Sequence, residues 1–232
     1  MIRIMLGNVG SGKTISAVRE IERSPYKVFT NIAMNHPNVI RLKYAHIITT
    51  KKIGETKSGK DINKLVVNWA FWKKQLKELK YFHIYIDELH NIMPSRRSMS
   101  QQNILMSQWV AQIRKITGSS ESANFVVMSQ ELQRIDITIR DLAHEIIFCQ
   151  KVERFPFTKT KARDGKKIKE VMLPQTFIMH TYFGGEGNVQ RYWQWRDMGR
   201  KSYDRRSYYY ANPFMKYYDS YELVEFGESE YL

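Results

Sequence analysis

The chain has 232 residues, 43% of them hydrophobic, which suits one α/β domain with additions and leaves little room for two full domains. Lys and Arg outnumber Asp and Glu by 37 to 23, a net charge of +14 that favours a polyanionic partner, nucleic acid first and an anionic membrane surface second. A single cysteine with no CxxC pair excludes an intrachain disulfide and a zinc ribbon, and no apolar run approaches a membrane span.

The N-terminal segment Arg3 to Leu6 reads as a short buried strand, and Thr14 to Arg23 as the helix that follows it, ending near Ser24-Pro25. KVFTNI is β-branched and aromatic and reads as a second strand, with AHIITT a peripheral third. The polar, basic stretch from Lys51 to Asp61 is expected to be a mobile loop. WAFWKKQLKELK places Trp69, Trp72, Leu76 and Leu79 at helical spacing. YFHIYIDE follows, a continuous apolar run that ends in two acids, as a central buried strand would.

A second helix is expected between Arg96 and Ile116, with Leu105, Trp109, Ile113 and Ile116 on one face. ANFVVMSQ is another buried strand, IDITIRDLA a turn and short helix, and EIIFCQKV a further strand. Strand and helix alternate, which predicts a parallel sheet with right-handed crossovers. Cys149, inside EIIFCQ, reads as a buried core thiol.

Beyond Val152 the character changes. FPFTKTKARDGKKIKE reads as a basic loop, and LPQTFIMHTYF and VQRYWQWRD flank GGEGN as an antiparallel hairpin at the sheet edge. The expected division is a core over 1–152, a loop-and-hairpin extension of the same domain over 153–200, and a tyrosine-rich arm over 201–232.

Gly7-Asn8-Val9-Gly10-Ser11-Gly12-Lys13-Thr14 satisfies GxxxxGK[ST] in full, between a strand and a helix. Glycines let the backbone wrap a phosphate with its N–H groups inward, and the helix N-terminus adds partial positive charge. Lys13 would reach the β- and γ-phosphates of a nucleoside triphosphate such as ATP, and Thr14 would ligate Mg2+. Asp87, at the end of the acidic strand, would hold the metal's hydration shell, and Glu88 would polarise an attacking water.

Gln130 closes a neighbouring strand and could sense the γ-phosphate or the water, or be an ordinary strand-end glutamine. An oligomeric ATPase needs a positive group, often a neighbour's, to stabilise charge on the transferring phosphoryl. Arg140 is the first candidate and Arg114 the second, followed by Arg134; a structural salt bridge is the alternative for each.

GNVGSGKT, VFTNI, IDELHNIMPSR and FVVMSQELQRIDITIRDLA occur in that order, and together the chain resembles the Zot-like P-loop ATPases of the HerA/FtsK superfamily. The resemblance spans roughly residues 1–150. It implies a P-loop NTPase fold of RecA type, a homo-oligomeric ring with hexamers expected, and a pocket built from Lys13, Thr14, Asp87, Glu88, Gln130 and a neighbour's arginine. It also puts Asn31, at the end of VFTNI, where it could lie near the γ-phosphate or serve as a cap or turn. Filamentous-phage members usually carry a transmembrane segment, which is not seen here, so the resemblance leans toward small viral genome-packaging ATPases. The expectation is a soluble motor acting on double-stranded DNA, in the host cytoplasm or on the virion, with a capsid or membrane protein as a further partner. A phage morphogenesis or secretion ATPase acting on protein is the alternative.

Overall fold

The structure is a computed structural model that describes residues 1–91, 100–112, 117, 124–152, 155–157, 171–173, 176–183 and 203–217. In chain order the elements begin with β1 (Ile2–Leu6), α1 (Lys13–Glu22), β2 (Lys27–Thr30), β3 (Val39–Arg41) and α2 (Tyr44–Ile47). They continue with β4 (Ile48–Glu55), β5 (Asp61–Val67), α3 (Trp69–Leu79), β6 (Phe82–Ile86), α4 (Gln101–Ala111), β7 (Phe125–Ser129) and α5 (Ile137–Leu142). The last are β8 (Glu145–Val152), β9 (Phe155–Phe157), β10 (Val171–Leu173), β11 (Thr176–Phe183), β12 (Arg205–Tyr210) and α6 (Asn212–Met215).

One eight-stranded sheet organises them, in the order β12-β11-β8-β1-β7-β6-β2-β3. The six strands from β8 to β3 run parallel, and β11 and β12 join antiparallel at the β8 side. This is the expected α/β P-loop architecture with an antiparallel extension. Every residue of β1, β6 and β7 is buried, as a strand covered on both faces requires.

Side chains alternate between two cores. One face packs Ile4, Phe29, Ile84 and Val127 against Trp72 of α3, Met106 and Trp109 of α4 and Ile139 of α5. The other packs Met5, Val28, Tyr85 and Met128 against Ile15, Val18 and Ile21 of α1 and Phe214 of α6. Apolar burial of this kind supplies roughly 25 cal/mol per Å2 and dominates the stability of such a three-layer domain.

A buried ion network ties β1 to α1 and β8. Arg3 donates to Glu20 at 2.7 and 3.0 Å and through Nε to Glu145 at 2.9 Å. Tyr85 donates its hydroxyl to Glu20 at 3.0 Å. Burial works against the charge on Arg3, but Glu20 and its other neighbours outweigh it and raise its pKa above the usual value.

Three expectations are corrected. Residues from Lys51 to Asp61 are no unstructured loop: β4 and β5 pair antiparallel with an irregularity between Lys52 and Gly54 and a turn at residues 56–60. Tyr44–Ile47 is a short helix, so only the second half of AHIITT is strand. The flanks of the basic segment pair as β9 and β10, while residues 158–170 lie outside the described residues.

On its outer side β11 pairs with β12, from within the segment read as an extended arm. GGEGN, VQRYWQWRD, Ile113 and Ile116 lie outside the described residues. No described helix is long and apolar enough to cross a membrane.

Candidate active site

The phosphate loop leaves β1 at Gly7, and α1 begins at Lys13. Gly7 has φ 148°, and a Cβ there would strike Ser11 and lie 2.6 Å from the Cys149 carbonyl oxygen. Gly12 has φ 94°, and a Cβ there would penetrate the Phe177 ring. Both positions therefore need glycine, for conformation and for space. Helices α3, α4 and α5 carry side-chain N-caps from Asn68, Ser100 and Asp136, whereas α1 has none. Its first N–H groups are left facing the loop, the arrangement of an anion site.

Lys13 is buried, and its Nζ donates to the carbonyl oxygens of Gly7 at 2.7 Å and Asn8 at 3.2 Å. Its ammonium thus already lies within the loop. Asn8, Val9, Gly10 and Ser11 also line an open cavity of about 500 Å3, together with Phe148, Cys149, Gln150 and Lys151 of β8.

Sheet order brings the acidic strand to this loop. β7 lies between β1 and β6, and its register sets Leu6 beside Ser129 and Ile86 beside Val127. The chain continues from these ends into Gly7, Gln130 and Asp87, so all three emerge at one sheet edge. Thr14 Oγ1 donates to Asp87 Oδ2 at 2.6 Å. Burial pushes the Asp87 carboxyl up from its ordinary pKa, opposed by the Thr14 hydrogen bond.

A hydroxyl and a buried carboxylate converging beside a lysine form a donor set suited to Mg2+, which takes few protein ligands and keeps several waters. Among the described residues no cluster of three His, Cys, Asp or Glu side chains is positioned to hold a metal.

Asp87 Oδ1 accepts the Glu88 N–H at 2.9 Å, and Glu88 sits at φ 50°. A non-glycine residue in the left-handed region is strained, and such strain clusters where side-chain direction matters. Asn31 completes this end of the site. It accepts the Asp87 N–H at 2.8 Å and donates to the Asp87 carbonyl at 2.9 Å. Its observed hydrogen bonds thus serve the acidic strand's backbone.

The predicted arginines stand apart. Arg140 is on α5, which carries the chain back to His144, whose N–H bonds the Ile2 carbonyl at the opposite sheet edge. Its Nε is buried without a hydrogen-bond partner among the described residues, and no ion pair to Asp136 or Asp141 is seen there. Arg134 lies 3.8 Å from Glu131 at the surface. Arg114 lies outside the described residues.

Sequence reasoning missed Phe177 and Tyr209. Phe177 packs on Gly12, and the Tyr209 hydroxyl lies 2.6 Å from Ser16 Oγ and donates to the Gly12 carbonyl at 3.2 Å. No local signal could reveal these contacts, because β11 and β12 arrive at the loop only through sheet pairing.

The family described as Zonular occludens toxin (Zot) matches residues 1–182. The chain belongs to the Zot family. Among solved structures, the N-terminal domain of zonular occludens toxin from Neisseria meningitidis is similar at 16% identity and a TM-score of 0.51, covering 94% of this chain and 98% of that one. At that identity the likeness establishes the shared fold.

The genome packaging NTPase B204 from Sulfolobus turreted icosahedral virus 2, in complex with ATP-gammaS, aligns at 9% identity and a TM-score of 0.38, over 77% of this chain and 91% of that one. No curated protein matches the chain by sequence. The Zot-family match extends past the core into β11, so it includes the strand that carries Phe177.

Proposed function

We propose that this Zot-family chain is an ATP-hydrolysing motor that translocates DNA, with viral genome packaging as its setting. The observation that carries the reading is the 2.6 Å bond between Thr14 and Asp87, with Lys13 and Glu88 their immediate neighbours in the chain. Triphosphate would draw Lys13 Nζ from the Gly7 and Asn8 carbonyls, and the uncapped N–H groups of α1 would share its charge. Thr14 and Asp87 would hold Mg2+, which when bound supplies charge neutralisation on the transferring phosphoryl. Glu88 would orient and deprotonate the attacking water, with Gln130 beside it. Arg140 or Arg114 would act on a neighbouring subunit's site in a homo-oligomeric ring.

The β4–β5 hairpin is the proposed DNA contact. Lys51, Lys57, Lys60 and Lys64 are exposed on it, with no ion pair seen among the described residues. Lys52 is held by Glu55 and Asp61, each at 2.5 Å. A second reading is a morphogenesis or secretion ATPase acting on protein and membrane partners.

The deciding experiment measures ATP turnover with and without double-stranded DNA, in wild type and Glu88→Gln. The motor reading expects turnover stimulated by DNA in a salt-sensitive way, and a variant that binds ATP without hydrolysing it. Turnover indifferent to saturating DNA would favour the protein-directed reading.

A further inference from the structure

We propose that Tyr209 is a positioning residue for the phosphate loop, so that the antiparallel extension sets nucleotide affinity. The inference rests on the nucleotide-site reading above and adds a residue from another part of the chain to it.

Three donors lie within hydrogen-bond distance of the Gly12 carbonyl oxygen. Ser16 N–H lies at 2.9 Å, Ser16 Oγ at 2.6 Å and the Tyr209 hydroxyl at 3.2 Å. The two hydroxyls also touch each other at 2.6 Å, and the Cys149 thiol donates to Ser16 Oγ at 3.9 Å. Each hydroxyl has one proton. If Tyr209 donates to Ser16, Ser16 donates to Gly12; if Ser16 donates to Tyr209, Tyr209 donates to Gly12. In both arrangements a hydroxyl proton reaches the Gly12 oxygen, and the pair acts as a unit.

That oxygen belongs to the Gly12–Lys13 peptide. The peptide is planar and trans, so its carbonyl and the Lys13 N–H point in opposite directions. Fixing the Gly12 oxygen toward Tyr209 therefore fixes the Lys13 N–H away from it. This N–H is the first donor of the uncapped α1 terminus.

Packing holds Tyr209 in place. Its ring stacks on Phe177 at 5.6 Å between centroids, and the Arg19 guanidinium covers it at 4.9 Å. Phe177 in turn lies against Gly12. Tyr209 is only 7% exposed, and burial raises its pKa, so the hydroxyl stays protonated and able to donate at neutral pH. β11 through Phe177 and β12 through Tyr209 thus converge on this peptide, and β8 reaches the adjoining Ser16 through Cys149.

Tyr209→Phe keeps the ring, removes the hydroxyl and leaves the Gly12 oxygen to Ser16 alone. KM for ATP and the Kd of a fluorescent ATP analogue should rise by up to about fivefold, the most that one lost hydrogen bond accounts for, with kcat changed less than twofold. Amide exchange of residues 12–16, read without nucleotide, should speed up by a similar factor. Tyr210→Phe, on the opposite face of the same strand, should leave all three readings unchanged.

Unchanged affinity and unchanged exchange in Tyr209→Phe would overturn the proposal, as would an equal effect from Tyr210→Phe. Lys13→Ala separates the two levels. Wild type and Lys13→Ala binding the analogue equally would sink the nucleotide-site reading, while the exchange measurement would still decide the positioning of Gly12 and Lys13.

Discussion

Asn31 holds the backbone of Asp87 from both sides, accepting its N–H at 2.8 Å and donating to its carbonyl at 2.9 Å. The two residues lie 56 positions apart in the chain and meet because β2 is the neighbour of β6. A primary amide carries a donor and an acceptor on one rigid group, so asparagine can replace the next rung of a parallel ladder at a strand end. The acid therefore leaves the sheet in a fixed direction, toward Thr14.

Asn31→Ala should leave two buried backbone groups unsatisfied. The expected loss is roughly 2 to 6 kcal/mol in denaturant unfolding, since each orphaned group costs about 1 to 3 kcal/mol. ATP turnover should fall further than ATP binding, because the change acts on Asp87 and Glu88 while the phosphate loop stays intact. Equal losses in both would place the role of Asn31 in stability alone.

Glu88 allows stability and activity to be separated. Its φ of 50° is a conformation that glycine adopts with less strain. Glu88→Gly should leave stability unchanged or raise it by up to about 1 kcal/mol, while turnover falls about 100-fold or more. Glu88→Gln should match the loss of turnover with nucleotide affinity retained. A Glu88→Gly protein that still hydrolyses ATP would remove Glu88 from the mechanism.

His83 sets an acid limit on the fold. It is buried on β6, and its Nδ1 accepts the Asn124 N–H at 2.9 Å. Burial lowers its pKa to about 4, with Glu20 opposing and the N-terminus and Arg3 reinforcing. An unfolded histidine titrates near 6.5. As pH falls the unfolded chain takes the proton first, so this contribution is complete above about 6.5 and is lost as pH falls toward about 4. Unfolding midpoints measured from pH 7 to pH 4 should fall in wild type, and the slope should flatten in His83→Gln.

The hairpin lysines make a quantitative test of the DNA contact. Replacing Lys51, Lys57, Lys60 and Lys64 together with serine should reduce the log–log salt slope of DNA binding by roughly 3 to 4, at about 0.9 per phosphate contact. Lys52→Ser should change it little, because Glu55 and Asp61 already occupy that ammonium. A slope unmoved by the fourfold change would move the DNA contact elsewhere.

The phosphate loop and the acidic strand were legible because each is a contiguous run whose residue types state its conformation. Glycine spacing specifies the turn, and a run of Phe82, Ile84, Tyr85 and Ile86 broken only by His83 before Asp87 and Glu88 specifies a strand buried on both faces. The β4–β5 hairpin was not legible. Residues 51–61 are mostly lysine, glycine, threonine, serine and acids, and their strand conformation comes from cross-strand pairing and from Leu65 and Val67 packing into the core that α3 and α4 cover. RRSYYY was equally opaque, since only pairing with β11 puts Ser207 and Tyr209 on one face and Arg206, Tyr208 and Tyr210 on the other.

By itself, then, the sequence determined the local chemistry of this protein: a loop able to wrap phosphate, a strand ending in two acids, and a basic surplus. Those follow from short-range sterics and hydrophobic patterning. Tertiary structure decided what meets what. Only the order of strands in the sheet could bring Asn31 to Asp87, and only the antiparallel extension could bring Tyr209 to Gly12, because contacts between distant segments depend on which edges pair and not on the residues beside them.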